Sequence, residues 1–228
     1  MAITKLYRLF FFLIVMLMVM EVSAQKQSRE KDFQVWGDVS ASYKINKKWK
    51  LDGELGLRTR ENSQLLKQYY LEFGGRYKIN KRFAVAGKYR FVSYYVFGKS
   101  SIHRINLDVN YDNKWNRFSY VLRLRYQQGW YLSNTKHEFY SRFLRTRLKV
   151  AYDIRKNKLE PFFSFEHYLG LNGDLLGLTA QIRWTLGAQY PVNKWSDISI
   201  AYRIEQEFYR YNPMNAYILL ISYKIDLN

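Results

Sequence analysis

Basic side chains occupy alternate positions on several segments of the chain. The set comprises Arg123, Arg125, Arg145, Arg147, Lys149, Arg183 and Arg203. Residues two apart on a β-strand project from the same side of a sheet, so the basic members of each segment are expected to share one face. The first five fall on two consecutive strands of a predicted hairpin and should approach each other. Because rings of basic residues attract anions in selective pores, this pattern predicts a pore-lining surface that favours anionic solutes.

Carboxylates at the same alternate positions support an alternative, in which the barrel interior is closed. Glu166 lies one predicted strand beyond the basic triplet, and Glu205 follows Arg203 at the next alternate position. If Arg147 pairs with Glu166, salt bridges fill a closed interior instead of lining an open one. About 8 strands leave an interior just filled by side chains and about 16 to 18 leave an aqueous channel. An intermediate barrel is compatible with both arrangements.

Hydrolysis of lipids is a second candidate chemistry. Ser93 and His103 share the lipid-facing parity of two neighbouring strands, and the connection between the strands would place them almost opposite each other. A hydroxyl nucleophile needs a base within hydrogen-bond reach and a third group that orients the base, yet the nearby Asn106 has the opposite parity. His137 and His167 lie near the same predicted external end of the barrel. The favoured interpretation of Ser93 and the histidines is therefore that they are polar residues at a wet interface. A phospholipase-like enzyme is the alternative.

Other catalytic and cofactor sites have no motif in this sequence. It contains no phosphate-binding glycine loop, no HExxH and no GxSxG elbow. Cysteine is absent, which excludes disulfides, thiolate metal sites and a lipidated cysteine. We therefore expect no metal, no cofactor and no catalytic site beyond the serine and histidine candidates.

The elements that position these residues are predicted to be long β-strands. Apolar and polar residues alternate from Phe33 onward, as in a sheet with one apolar face. Many segments exceed the ~5 to 6 residues usual in soluble sheets and match the ~9 to 11 tilted residues that cross a bilayer. Eleven segments are visible, at 33–45, 49–60, 67–79, 83–95, 102–112, 118–128, 139–154, 159–169, 178–190, 197–208 and 215–227.

A repeated motif marks alternate strand ends. YKINKKW (43–49), YKINKRF (77–83) and YPVNKW (190–195) combine a short polar turn with flanking aromatic residues. Short periplasmic turns, longer extracellular loops and aromatic girdles are typical of outer-membrane barrels. Six strands then run towards the turns and five run away from them, whereas antiparallel closure needs an even number. We therefore predict an all-β, up-and-down antiparallel transmembrane barrel of twelve strands, with ten as the alternative.

The N-terminal residues predict export. Lys5 and Arg8 precede an apolar run over 9–20, and Val22 and Ala24 suit a signal peptidase. This is the pattern of a cleaved secretory signal peptide, since the run is shorter than the ~20 residues of a membrane helix.

The predicted organisation follows from that cleavage. Residues 1–24 form the signal peptide, 25–32 a polar N-terminal segment and 33–228 the barrel. The formal charge of +18 alone would suggest nucleic acid, but export argues against it. The aromatic content of 18% favours a membrane interface. Expected partners are outer-membrane lipid and lipopolysaccharide, the barrel-assembly machinery during insertion, and small anionic solutes.

The chain also resembles a known family. The signal peptide, the alternating strands, the repeated Y(K/D)INK turns and the C-terminal strand YILLISYKIDLN are similar to the domain-of-unknown-function 2490 family of outer-membrane barrels. The resemblance extends over nearly the whole mature chain and implies the cell outer membrane of a Gram-negative bacterium. The C-terminus departs from the terminal aromatic residue of many outer-membrane proteins, because it ends in Leu227 and Asn228. The family implies no activity, so no functional residue is carried over.

Overall fold

A computed structural model describes residues 29–95, 101–132 and 140–227. They form one closed barrel in which neighbours along the chain are neighbours in the sheet. The predicted signal peptide lies outside the described residues. The strands are β1 (Glu30–Lys44), β2 (Trp49–Arg60), β3 (Leu65–Lys78), β4 (Phe83–Tyr94), β5 (Ser101–Trp115), β6 (Phe118–Leu132), β7 (Tyr140–Tyr152), β8 (Glu160–Gly170), β9 (Thr179–Pro191), β10 (Ser196–Glu207) and β11 (Met214–Asp226).

The described strands number eleven, where twelve or, alternatively, ten were predicted. The physical reason is the closing pair. β1 and β11 run parallel, in register from Glu30 with Met214 to Ser42 with Asp226, whereas the other neighbouring pairs are antiparallel. One parallel pair permits an odd number of strands. The last residues of the predicted polar segment, from Glu30 onward, therefore begin β1 and do not form a strand of their own.

The two faces of the sheet have opposite polarity, as the alternation predicted. Outward positions carry exposed apolar side chains such as Leu55 and Phe73, while inward positions carry buried polar side chains such as Gln34, Glu72 and Asn106. A soluble barrel would bury its apolar face. An apolar outer wall around a polar interior is the pattern of barrels that face lipid.

Asparagine forms the short turns at one rim. The side-chain oxygen of Asn46 accepts hydrogen bonds from the backbone N–H groups of Lys48 and Trp49, both at 2.9 Å. Asn80 repeats the arrangement in the turn between β3 and β4, at 2.8 Å. This local capping explains why asparagine recurs in the turn motif.

Aromatic pairs stand directly above these turns. Trp49 packs on Tyr77 across β2 and β3 with ring centroids 4.9 Å apart, and Phe83 packs on Tyr111 at 5.0 Å. The rim with the short turns therefore carries an aromatic belt on its outer surface. No helix in the described ranges is long and apolar enough to span a membrane.

The strands are strongly tilted around the barrel axis. Following paired residues from Lys44, at the rim of the short turns, leads strand by strand through Arg125 and Tyr168 to Glu207, next to the opposite rim. The hydrogen-bonded rows therefore climb the barrel wall, and residues of one row lie at different heights.

Candidate solute site in the barrel interior

The barrel encloses a cavity of about 1030 Å³. Every residue that the sequence pattern assigned to a pore lining contributes to its wall. These residues are Arg123, Arg125, Arg145, Arg147, Lys149, Glu166, Arg183, Arg203 and Glu205. The alternating basic side chains therefore point into the barrel, as their spacing predicted.

Glu166 lies at the centre of an ion-pair cluster on one side of the cavity. Its carboxylate lies 2.5 Å from the guanidinium of Arg123, 2.9 Å from that of Arg145 and 3.6 Å from that of Arg183. Arg183 also approaches Glu205 at 2.6 Å. Ion pairs thus join the strands β6 to β10 across the interior. The contacts of Arg123 and Arg145 with Glu166 are also charge-assisted hydrogen bonds, which are the stronger class of hydrogen bond.

A second cluster lies on the opposite side of the cavity and was not predicted. Arg90 on β4 contacts Glu72 on β3 at 2.7 Å and Glu54 on β2 at 3.1 Å. Lys88 contacts the same Glu72 at 3.2 Å. The inward parity of these residues was visible in the sequence, but their pairing depends on the register of three strands.

The predicted ion pair between Arg147 and Glu166 does not form, although the two residues are register partners. The oxygens of Glu166 are already occupied by Arg123, Arg145 and Arg183. The buried Nε atom of Arg147 has no hydrogen-bond partner, and no described carboxylate lies within ion-pair distance of its guanidinium. The alternative of a lumen neutralised by salt bridges is therefore only partly realised.

Cations outnumber carboxylates along the cavity wall. Among the described residues, thirteen lysines and arginines line it, against six aspartates and glutamates. Several of these cations make no ion pair with any carboxylate in the part of the chain that the structure describes. They are Arg58, Lys67, Arg104, Arg147, Lys149 and Arg203.

Aromatic rings and a hydroxyl group hold several of these cations in place of carboxylates. The guanidinium of Arg58 stacks 3.9 Å from the ring centroid of Trp36, and the amine of Lys149 lies 4.1 Å from that of Phe162. The Nε of Arg203 donates to the Thr185 hydroxyl at 3.0 Å. A cation over a ring keeps its full charge, so these contacts position the cations without neutralising them.

Trp36 belongs to the candidate site, and the sequence pattern missed it. It is buried on the inner face, and the guanidiniums of Arg58, Arg203 and Arg183 lie 3.9, 5.6 and 5.7 Å from its ring centroid. An apolar residue at an inward position contradicts the polar-in pattern. That exception to the alternation was the available signal.

The serine and histidine considered for hydrolysis are not brought together. Ser93 is the register partner of Ser101, whereas His103 is the partner of Phe91. The Nδ1 of His103 is in hydrogen-bond contact with the hydroxyl of Tyr89. The predicted hairpin register differs from the observed one by two residues, so the histidine faces an aromatic neighbour and not the serine.

The other polar residues considered for that chemistry are engaged elsewhere. Asn106 points inward, and its amide donates to Glu72 at 3.4 Å. The Nε2 of His167 lies 3.0 Å from the Thr179 hydroxyl. His137 lies outside the described residues. The geometry therefore favours the cavity over the outer wall as the candidate site.

Comparison with known proteins identifies the family of this barrel but no function. No curated protein matches the chain. A family model described as a protein of unknown function, DUF2490, matches residues 33–215, a range that begins within β1 and ends within β11. The chain belongs to the DUF2490 family.

Proposed function

We propose that the protein is an integral outer-membrane barrel whose lumen takes up small anionic solutes, as a narrow pore or a binding barrel. The observation that carries the proposal is a set of six lumenal cations that pair with no carboxylate of the described residues: Arg58, Lys67, Arg104, Arg147, Lys149 and Arg203. The ion-paired arginines form the framework of the interior, and these six cations supply a positive field that attracts anionic solutes.

The strength of that field follows from Coulomb's law. At an effective dielectric constant of about 20, an anion about 6 Å from one such cation gains roughly 3 kcal/mol. Low-dielectric walls lined by one sign of charge also raise the local concentration of counter-ions. The excess of thirteen basic over six acidic lining residues therefore favours anions over cations inside the barrel.

The size of the cavity supports a small solute. Its volume of about 1030 Å³ is close to the upper limit of ~1,000 Å³ for small-molecule sites. An eleven-stranded barrel is also far below the ~16 to 18 strands of porins with an aqueous channel. The lumen therefore suits one small anion at a time.

The location in the outer membrane is supported by the outer wall. The strands are 11 to 15 residues long, which meets the ~9 to 11 residues that a tilted strand needs to cross a bilayer. The wall is apolar, and aromatic pairs border it at the rim of the short turns. In this proposal the short turns face the periplasm and the longer connections face outside.

The test is the conductance of the purified barrel in planar bilayers, with reversal potentials measured in a salt gradient. We expect discrete steps with an anion preference. Replacing Arg104 and Arg147 by glutamine should reduce that preference, since neither cation pairs with a carboxylate in the part of the chain that the structure describes. Arg155→Gln, which removes an exposed charge in the turn between β7 and β8, is the matched control and should leave it unchanged.

Two results would overturn the proposal. The first is a preference for cations, or an anion preference that the double variant does not change. The second is a folded barrel that neither conducts nor gains thermal stability from sulfate or phosphate, because a ligand that binds the native state must stabilise it.

A further inference from the structure

An elongated apolar groove of about 500 Å³ runs across the outer wall from β2 to β7. Its lining is almost entirely apolar and begins at the aromatic belt above the short turns. The residues that line it include Trp49, Tyr77, Val85, Val109, Leu124 and Leu144.

Two neighbouring rows of cross-strand partners border the groove. The row nearer the turns contains Trp49, Tyr77, Val85, Val109 and Leu124, each the partner of the next. The row further from the turns contains Gly75, Gly87, Leu107, Tyr126 and Leu144 in the same relation. The groove therefore follows the hydrogen-bonding direction of the sheet and climbs the wall with the tilt of the strands.

A glycine pair makes the floor of the groove. Gly75 and Gly87 are direct partners on β3 and β4, so no side chain covers the wall between them. A Cβ atom at Gly75 would meet only a methyl group of Leu51, at 3.9 Å, and one at Gly87 only a methyl group of Leu107, at 3.9 Å. The depression is thus open space that larger side chains would fill.

The dimensions of the groove match one leaflet of a membrane. The five inter-strand steps from β2 to β7 measure ~4.8 Å each, so the groove is roughly 24 Å long. With strands tilted by ~35 to 45°, a hydrogen-bonded row of that length climbs roughly 15 Å. The hydrocarbon core of a bilayer is ~30 Å thick, and one leaflet occupies half of it.

Cations surround the end of the groove at the rim of the short turns. The amine of Lys48 lies 6.0 Å from the ring centroid of Tyr77. Lys81 and Arg82 are exposed in the adjacent turn between β3 and β4. Neither turn motif, 43–49 or 77–83, contains a carboxylate. Clusters of lysine and arginine beside a membrane surface recognise anionic lipid headgroups.

We infer that this groove holds one acyl chain of an anionic phospholipid, whose phosphate is bound by Lys48, Lys81 and Arg82. The inference rests on the membrane location of the proposed function, but not on the solute in the lumen. A continuous apolar track that ends at a cationic rim has the polarity of a phospholipid molecule. A second copy of the chain would bury the apolar track but would bring identical cations close together.

The experiment is native mass spectrometry of the detergent-purified protein with phosphatidylglycerol, and with phosphatidylcholine of the same acyl chains as the neutral-headgroup probe. The wild-type barrel should retain one phosphatidylglycerol per chain in preference to phosphatidylcholine. Gly75→Leu with Gly87→Leu fills the groove and should reduce retention of both lipids by roughly tenfold or more, since each buried methylene group contributes a factor of about four. Gly53→Leu is the control, because Gly53 faces open space on β2 and does not line the groove.

A charge variant tests the rim separately. Replacing Lys48, Lys81 and Arg82 by glutamine should lower retention of phosphatidylglycerol by about fivefold per charge. Retention of phosphatidylcholine should fall by less, because its choline cation offsets the charge of the phosphate that the rim binds. The matched control replaces Arg155, Lys156 and Lys158, which are exposed in another turn.

Three outcomes would overturn the inference. The first is a wild-type barrel that retains no phosphatidylglycerol. The second is an equal loss of lipid retention in the Gly53→Leu control and in the groove-filling variant. The third is a dimer mass that the wild type shows and only the groove-filling variant loses. A protein that fails to fractionate with outer membranes would refute the proposed function as well. A barrel that fractionates with them and prefers anions, but retains no phosphatidylglycerol, would refute the groove alone.

Discussion

Glu166→Gln is the substitution that should disturb the interior most. The side chain of Glu166 is only 7% exposed, and its carboxylate contacts Arg123, Arg145 and Arg183 at 2.5, 2.9 and 3.6 Å. Glutamine preserves the shape but removes the charge that three guanidiniums share. The mutual repulsion of these guanidiniums then loses its shared counter-charge in a region with little solvent.

The magnitude follows from the number of contacts. A charge pair at about 4 Å interacts with roughly 4 kcal/mol at an effective dielectric constant of about 20. Breaking a buried ion pair by removing one partner costs about 3–5 kcal/mol. Among the described residues Arg123 and Arg145 lose the one carboxylate that pairs with them, while Arg183 keeps Glu205 at 2.6 Å. We therefore expect the free energy of unfolding to fall by about 4–5 kcal/mol.

The assay is urea unfolding in lipid vesicles, followed by tryptophan fluorescence. Glu54→Gln is the control, because its partner Arg90 keeps the carboxylate of Glu72 at 2.7 Å, and the loss there should stay near 1 kcal/mol, as for partly exposed pairs. Sulfate should restore part of the stability lost in Glu166→Gln by supplying a replacement anion. Equal losses in the two variants, or no effect of sulfate on Glu166→Gln, would show that the cluster is not the electrostatic centre of the lumen.

Two further predictions concern the sheet itself. Asn46→Ala should lower the free energy of unfolding by about 1 kcal/mol, because two backbone N–H groups lose their acceptor; Asn46→Asp keeps the acceptor, and thermal unfolding of the two variants checks the difference. Gly187→Ala should lower the yield of folded barrel, seen as a mobility shift on gels, since a Cβ there would lie 2.4 Å from the Cβ of Ala201. Gly53→Ala, with open space around it, should fold as the wild type does, and a normal yield of Gly187→Ala would contradict the steric argument.

The strands and the turns could be predicted because their signals are local. Alternation and the asparagine turns placed the β-strands within a few residues, as for Leu65–Lys78 against the predicted 67–79. Asn46 and Asn80 each cap their own turn through contacts two and three residues away. Information of this kind lies within one short window of sequence.

The features that sequence reasoning missed depend on distant partners. The closure of β1 on β11 pairs Glu30 with Met214, and no local pattern distinguishes parallel from antiparallel contact between the chain's first and last strands. The position of His103 opposite Phe91 depends on how the preceding connection sets the register. A shift of two residues leaves a side chain on the same face of the sheet but changes its cross-strand neighbour. The predicted face of His103 was therefore right, and its predicted neighbour was wrong.

The positive lumen follows from the same parity once the register is known. Arg123 is the partner of Arg147, and Arg125 is the partner of Arg145, so β6 and β7 place four guanidiniums in one block. The Asp108 carboxylate binds Arg125 with two hydrogen bonds of 2.6 Å. On the other side, Glu166 engages two members of the block. Two carboxylates therefore serve three of the four guanidiniums, and Arg147 forms no ion pair within the described ranges. The unpaired guanidinium at this place is a consequence of alternation and register together, and neither one alone reveals it.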